Sequence, residues 1–322
     1  MNKIILFLLC FLLGSSFSTF AQGRDREIKI SRQQESPVKT VKVRGKGKIK
    51  NVVFMIGDGM SLAHMYSTWA ANKGKLNLEN CQTVGLAKTY CYDRLITDSG
   101  AAGTALATGH KTRYHAVGVD PEGKPLLTLT DLAAAKSKST GVVVTCRLND
   151  ATPAAFCAHN SDRDQAEALI ADYAGCGVDF IFGGGKRYFC ERKDGRNILE
   201  EMKALGYQTP ENQEQLDAIQ TGKVLAVWAD HDLPRPSVRK EMLTESTMKA
   251  LELLSQNKKG FFLMVEASQI DDYGHANQLD PLVEEILDFD RTIGKVFEWA
   301  AADGETLVVV TADHETGGLT MV

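Results

Sequence analysis

Acidic and histidine side chains recur in this sequence at spacings that suit metal binding. Asp271 and His275 are four residues apart, which places a carboxylate and an imidazole on one face if the backbone there is helical. Oxygen and nitrogen ligands of this kind suit zinc. A helical salt link would use the same spacing. Glu266, however, ends an apolar run just upstream, and an unpaired carboxylate is costly in apolar surroundings without a cation.

Two further motifs offer ligands of the same kind. Asp58 lies between glycines, which let the backbone approach a ligand closely, and its carboxylate can bind one metal ion or bridge two. Asp313 and His314 are adjacent at the end of another apolar run, where both can bind one ion as the chain leaves a strand. Taken singly, each motif is also typical of a turn.

Ser99 is the candidate nucleophile. It lies in the small-residue stretch Thr97–Ala105, where a hydroxyl, backbone N–H groups and a helix dipole could face an anion. No GxSxG motif surrounds Ser99, so an acyl-transfer triad is not supported and a metal ion would have to activate it. The alternative is that Asp98 or Ser99 is an ordinary helix N-cap.

Arg163 is the candidate anion-binding residue. Its planar guanidinium can bind two phosphate oxygens at once, although an exposed arginine in the first turn of a helix is also common. We interpret His159 as structural. The stretch Gly183–Lys186 lacks the spacing of a Walker A motif, so we do not interpret it as a phosphate-binding loop.

Six apolar runs are interpreted as buried strands that alternate with helical stretches. The strands are Val52–Ile56, Gly141–Thr145, Phe180–Phe182, Val224–Trp228, Phe261–Val265 and Thr306–Thr311. The helical stretches are Asp131–Lys138, Arg163–Ala174, Val238–Ser255 and Leu282–Ala301. This alternation predicts an α/β fold with a mostly parallel central sheet and helices on both faces.

The candidate ligands follow the ends of these strands. Ligands of open α/β sheets gather beyond the carboxyl ends of the strands. We therefore expect four strands to bring their polar residues to one edge of the sheet. These residues are Asp58, Asn149, Asp150, Thr152, Glu266, Asp313 and His314.

The first 50 residues differ from the rest and divide the chain into three parts. Residues 1–21 have a short apolar run after Lys3 and a small-residue site ending at Ala21. They predict a cleaved secretory signal, and hence a periplasmic or secreted protein with no stable membrane anchor. Residues 22–50 are rich in lysine and arginine and are interpreted as a solvated linker. Residues 51–322 form the remaining domain. The net charge of the whole sequence is −4, which gives no reason to expect nucleic acid as a partner.

Six cysteines remain after the predicted signal. In an exported chain they permit up to three disulfides, with Cys81–Cys91 and Cys176–Cys190 as candidate loop closures. No CxxC pair is present, so a zinc ribbon is not indicated.

Taken together, the motifs resemble the alkaline phosphatase family. Six blocks occur in family order between Asn51 and the end of the sequence: Ile56–Met60, Thr97–Ala105, Asp150–Ala155 with Arg163, Phe182–Gly185, Glu266–His275 and Thr311–Gly318. The resemblance implies a metal-dependent enzyme that hydrolyses small phosphate monoesters, and it is compatible with a homodimer.

The resemblance also implies a role for each site residue. Ser99 would be the nucleophile that forms a phosphoserine, and Arg163 would bind the phosphate. Two zinc ions and one magnesium ion would be bound by seven side chains: Asp58, Asp313 and His314 at the zinc that activates the nucleophile, Asp271 and His275 at the other zinc, and Asp58, Thr152 and Glu266 at the magnesium.

Two features depart from the family pattern. The family has a further zinc ligand, a histidine followed by Thr-Gly, well beyond the last block, whereas this sequence stops at Val322. We therefore expect a truncated chain, a sheet that is incomplete at its C-terminus, and an incomplete zinc site at Asp271 and His275. Asp150 and Asp272 occupy two variable positions around the magnesium site, and two carboxylates favour a hard cation there.

Two other functions stay open. A phosphodiesterase of the same superfamily would share the metal ligands, although Arg163 favours a dianionic monoester. The chain could instead be an inactive fragment that binds metal or phosphate. A sulfatase would need a C/S-x-P-x-R motif, which Ser99 lacks.

Overall fold

The structure is a computed structural model that describes residues 35–41, 45 and 47–320. The predicted secretory signal and most of the predicted linker lie outside these residues, so both stay predictions. Part of the linker is described, and there the backbone N–H of Ser36 donates to the side chain of Asn72 at 2.7 Å. Within the described ranges, no helix is both long and apolar enough to cross a membrane.

The described residues form seven strands and twelve α-helices. The strands are β1 (Asn51–Gly57), β2 (Ser139–Arg147), β3 (Phe180–Gly184), β4 (Tyr207–Gln208), β5 (Lys223–Val227), β6 (Phe261–Ala267) and β7 (Thr306–Ala312). The helices are α1 (Leu62–Ala71), α2 (Ser99–Thr108), α3 (Leu129–Ala135), α4 (Ala151–Ala155), α5 (Ala166–Cys176), α6 (Lys186–Cys190), α7 (Ile198–Ala204), α8 (Gln213–Ala218), α9 (Pro236–Arg239), α10 (Met242–Leu254), α11 (Gln269–His275) and α12 (Leu279–Asp303).

The seven strands form one parallel sheet. Its strand order is β4-β5-β3-β2-β6-β1-β7, and every pairing between neighbours is parallel. Successive side chains of a strand point to opposite faces, and all seven residues of β6 are buried. Both faces of the sheet are therefore covered, which confirms the predicted α/β fold.

The predicted elements differ from the observed ones in two respects. The predicted helix over 238–255 is two helices, α9 and α10, because the backbone of Lys240 adopts a positive φ of 58°, which a helix cannot include. The predicted elements also omit β4 and the helices α1, α4, α6, α7 and α8. Every residue of α4 is buried, so α4 lacks the polar stripe that marks a surface helix in a sequence.

Aromatic packing holds α4 against the sheet. The ring of Phe156, which follows α4, lies 6.1 Å from that of Phe262 in β6 and 6.3 Å from that of Phe54 in β1. Phe156 is fully buried, and burial of a side chain of this size contributes about 1.5–3 kcal/mol. This contact fixes the segment that carries Thr152.

The cysteines of the described residues form no disulfide. All six are free thiols, so neither Cys81–Cys91 nor Cys176–Cys190 is joined. The thiol of Cys176 instead donates to the carbonyl oxygen of Tyr173 at 3.3 Å.

A buried ionic cluster joins β2 to α12. The Arg239 side chain is fully buried and pairs with Glu285 at 2.9 Å and with Asp288 at 2.7 Å. Glu285 also accepts a hydrogen bond from the Thr145 hydroxyl at 2.9 Å. Removal of one partner from such a cluster leaves buried charges uncompensated.

We expect Arg239→Met to lower the free energy of unfolding by about 3–5 kcal/mol, because it leaves Glu285 buried without a cation and leaves Asp288 with Arg291 alone. Urea denaturation followed by circular dichroism measures this change. Arg196→Met is the matched control, since Arg196 pairs with Glu201 on the surface and such pairs contribute little. If both variants lost the same free energy of unfolding, the buried cluster would contribute no more to stability than a surface ion pair.

Candidate functional site

Four neighbouring strands bring the candidate ligands to one edge of the sheet. Glu266 in β6 is in register with Ile56 of β1 and with Val144 of β2. Ile56 is also in register with Thr311 of β7. Because all four strands are parallel, the residues at and after their carboxyl ends converge, as the sequence pattern predicts.

Three carboxylates at this edge are almost completely buried. Asp58, Glu266 and Asp313 expose only 5%, 0% and 3% of their surface. Burial raises the pKa of Asp58 well above its ordinary value, and the nearby Asp313 and Glu266 raise it further. Burial raises the pKa of Glu266 in the same way, with Asp150 and Asp313 adding to the effect. The cluster thus destabilises the ionised form of each member.

Several oxygens of these carboxylates have no hydrogen-bond partner among the described residues. They include both oxygens of Glu266 and Oδ1 of Asp58. An unpartnered buried carboxylate is costly unless a cation neutralises it. The residues present therefore fit a site for divalent metal ions.

Asp271 and His314 complete this cluster. A ligand atom from each of Asp58, Asp271 and His314 lies within 4.8 Å of the other two. Nε2 of His314 is 3.7 Å from Asp58 Oδ1 and 3.2 Å from Asp313 Oδ2. Two carboxylates and an imidazole at these distances offer the oxygen and nitrogen ligands that zinc uses.

Gly59 is required by the close packing of this cluster. Its backbone N–H donates to Asp313 Oδ1 at 2.9 Å, and its φ is +66°, a conformation that favours glycine. A Cβ atom at Gly59 would lie 2.6 Å from Asp271 Oδ1 and 2.8 Å from Thr316 Oγ1. A larger residue would therefore displace a candidate ligand.

The other predicted ligands lie beside this cluster. Nε2 of His275 is 3.4 Å from Asp271 Oδ2, and the His275 side chain is mostly exposed. Both residues lie on α11, as their spacing predicts. The Thr152 hydroxyl donates to Asp58 Oδ2 at 3.1 Å.

Ser99 faces the cluster from the start of α2. Its side-chain oxygen is 3.1 Å from Nε2 of His314, and the residue is buried. Asp98 is the N-cap of α2 and accepts hydrogen bonds from the backbone N–H groups of Gly100 and Ala101. The alternative interpretation of this segment, a helix N-cap, is therefore correct for Asp98. Capping does not explain why the Ser99 side chain points toward His314.

Two carboxylates orient the guanidinium of Arg163. Nη1 of Arg163 is 3.0 Å from Asp98 Oδ2, and Nη2 is 3.0 Å from Asp150 Oδ1. Burial raises the pKa of Asp98, but hydrogen bonds from the His115 N–H and from Arg163 outweigh it, so that the pKa is lower than usual. The Arg163 side chain is 22% exposed and precedes α5, so it is not an exposed first-turn arginine.

The structure adds residues that the motifs did not reveal. Thr316 donates a hydrogen bond to Asp271 Oδ1 and lies 3.1 Å from Nδ1 of His314. The sequence predicts only a capping role for Asp98, whereas in the structure Asp98 also pairs with Arg163. The sequence signal for Thr316 is its place in the block Thr311–Gly318, two residues after His314.

The two carboxylates predicted around the magnesium site, Asp150 and Asp272, also lie in this region. Burial raises the pKa of Asp272 to about 6, and the charges of Asp232 and Asp150 contribute to the shift.

His159, which the sequence analysis interprets as structural, has its Nε2 atom 3.0 Å from the carbonyl oxygen of Leu126.

Comparison with known proteins points to one family. The family model for alkaline phosphatase matches residues 49–322. Alkaline phosphatase 4 of Bacillus subtilis is 39% identical over 306 residues, which cover 89% of this chain and 66% of that protein. Alkaline phosphatase of Escherichia coli is 31% identical over 329 residues, covering 82% of this chain and 70% of that protein. The chain thus spans about two thirds of the length of these relatives.

Solved structures give the same result. Alkaline phosphatase from the Antarctic bacterium TAB5 superposes with a TM-score of 0.83 at 37% identity, covering 85% of this chain and 82% of that one. A variant of the TAB5 enzyme with Mg bound in its M3 site has a TM-score of 0.81 at 35% identity, covering 86% of this chain and 80% of that one. The family model, the relatives and the fold agree, and the chain belongs to the alkaline phosphatase family.

Proposed function

We propose that this protein hydrolyses phosphate monoesters through a phosphoserine intermediate on Ser99, at a site for two zinc ions and one magnesium ion. The observation that carries the proposal is the position of the Ser99 hydroxyl, 3.1 Å from Nε2 of His314, at the edge of the buried carboxylate cluster. Membership of the alkaline phosphatase family supports the same reaction.

The donor set of the site suits the three proposed ions. Asp58, Asp313 and His314 would bind one zinc ion, and Asp271 with His275 the other. Thr152, Glu266 and Asp58 would bind magnesium, which prefers oxygen ligands. When bound, the ions would supply positive charge that favours the Ser99 alkoxide and stabilises the leaving oxygen.

The side chains of the protein carry out the remaining steps. The Ser99 oxygen gives up its proton to solvent and forms a bond to phosphorus, while the ester P–O bond breaks and the departing oxygen takes up a proton from solvent to leave as the alcohol. Water then attacks the phosphoserine, which releases inorganic phosphate and returns a proton to Ser99. Through both steps the Arg163 guanidinium donates hydrogen bonds to two phosphate oxygens, as its fork geometry permits.

The Arg163 geometry favours monoesters over diesters. Asp98 and Asp150 each hold one Nη atom of Arg163, so the guanidinium is presented in one orientation. A dianionic monoester has three unsubstituted oxygens for this group and for the cations, whereas a diester has two and carries less charge. The site is therefore better matched to a monoester.

We expect the chain loaded with zinc and magnesium to hydrolyse p-nitrophenyl phosphate about a hundredfold faster, in kcat/KM, than bis(p-nitrophenyl) phosphate. Each charge-assisted hydrogen bond is worth about 1.5–3 kcal/mol, and the diester loses at least one. Release of p-nitrophenol measures both rates. A preference for the diester would support the phosphodiesterase alternative, and no hydrolysis of either compound would support the inactive fragment.

Acid quenching during turnover of ³²P-labelled substrate should trap a phosphorylated protein. We expect Ser99→Ala to abolish both the label and turnover, because alanine has no oxygen that can bond to phosphorus. Ser161→Ala is the control, since Ser161 is an exposed serine and is not one of the proposed ligands. Turnover in Ser99→Ala equal to that of the unchanged chain would exclude Ser99 as the nucleophile.

We expect Glu266→Gln to have opposite effects on stability with and without metal. Without metal at pH 8, the substitution removes a carboxyl group whose ionisation is opposed by burial, and should raise the free energy of unfolding by about 1–3 kcal/mol. With Mg²⁺ present, the unchanged chain should gain stability from a ligand that the variant lacks.

Urea denaturation in EDTA and in Mg²⁺ measures both effects, and the exposed Glu122 provides the control variant Glu122→Gln. If Glu266→Gln shifted stability by the same amount in both media, Glu266 would not be a metal ligand.

A further inference from the structure

Arg147 connects the phosphate-binding arginine to a loop outside the proposed site. Arg147 is the last residue of β2, and its Nη2 atom lies 2.9 Å from Asp150 Oδ2. The other oxygen of Asp150, Oδ1, accepts a hydrogen bond from Nη2 of Arg163 at 3.0 Å. Asp150 is thus held between two guanidinium groups, one on each carboxylate oxygen.

Asp232 fixes the opposite side of Arg147. Nη1 of Arg147 lies 3.1 Å from both carboxylate oxygens of Asp232, and the backbone N–H of Arg147 donates to Asp232 Oδ1 at 2.8 Å. The loop that carries Asp232 is itself attached to the sheet, because the N–H of Leu233 donates to the carbonyl of Thr145 at 3.0 Å. Arg147 therefore has one defined orientation.

The two guanidinium groups on Asp150 affect the charge that each of them experiences as well as its position. Asp150 carries one negative charge and contacts two cations, so each cation is only partly neutralised by it. Without Arg147, the full charge of Asp150 would act on Arg163 alone. The guanidinium of Arg163 would then be drawn toward Asp150, and it would compete less well for phosphate oxygens.

We propose that Arg147, anchored by Asp232, is a positioning residue for phosphate binding: it shares the charge of Asp150 and so keeps the Arg163 guanidinium oriented toward, and available to, the phosphate. The proposal rests on the proposed function of the site. The competing interpretation is that Arg147 only fastens the Asp232 loop to the sheet, which would affect stability but not phosphate affinity.

The test compares Arg147→Met with the unchanged chain, both loaded with zinc and magnesium. We expect KM for p-nitrophenyl phosphate and Ki for inorganic phosphate to rise about tenfold, which corresponds to about 1.4 kcal/mol, while kcat changes less than about threefold. Arg147→Lys should give an intermediate Ki, because an ammonium group keeps the charge but cannot bridge Asp150 and Asp232 as a fork.

A double-mutant cycle separates positioning from loop attachment. In an Asp150→Asn background, Arg147→Met should cause no further rise in Ki, since the charge that Arg147 shares is already gone. Arg196→Met is the matched control, because Arg196 forms a comparable pair with Glu201 at the surface, and it should leave KM and Ki unchanged.

The outcomes distinguish this proposal from the proposed function. Absence of turnover in the unchanged chain would overturn the proposed function, and calorimetric titration with inorganic phosphate would then decide the role of Arg147. An unchanged phosphate affinity in Arg147→Met, or an equal loss with and without Asp150, would overturn the positioning role. If Arg147→Met does not fold, Asp232→Asn replaces it: a raised Ki supports the proposal and an unchanged Ki overturns it.

Discussion

Repulsion among buried carboxylates is the constraint on which the rest of this structure depends. Asp58, Glu266 and Asp313 meet at the ends of adjacent strands with almost no access to water, and each has a raised pKa because of burial. Such a cluster opposes folding of the metal-free chain. The packing of the sheet between two apolar layers has to compensate for it, and the cations proposed for the site would relieve it.

The same constraint explains the detailed geometry around the cluster. The absence of a side chain at Gly59 lets its N–H reach Asp313 and leaves room for Asp271. Thr152 and Thr316 add hydroxyl donors to Asp58 and Asp271. These short-range contacts orient the carboxylates of Asp58, Asp271 and Asp313 within the protein itself.

The sequence predicted those features that a local pattern can encode. The six predicted strands are observed because buried parallel strands are continuous apolar runs, and Asp58, Glu266 and Asp313 meet as predicted because they lie at the ends of neighbouring strands. Strand order, by contrast, is a long-range property with no local signal. The double role of Asp98 was missed because helix capping already accounts for an aspartate there. The contacts of Arg147 with Asp232, 85 positions away, belong to no motif.

The strand order has a consequence for how the chain acquires its structure during synthesis. β1 is made first, yet its neighbours in the sheet are β6 and β7, and the contact of Gly59 with Asp313 spans 254 positions. Contacts of such long range form slowly. On the ribosome, β1 must therefore wait, with both edges unpaired, until nearly all of this chain has emerged, and during that interval it is a site where nascent chains could associate wrongly.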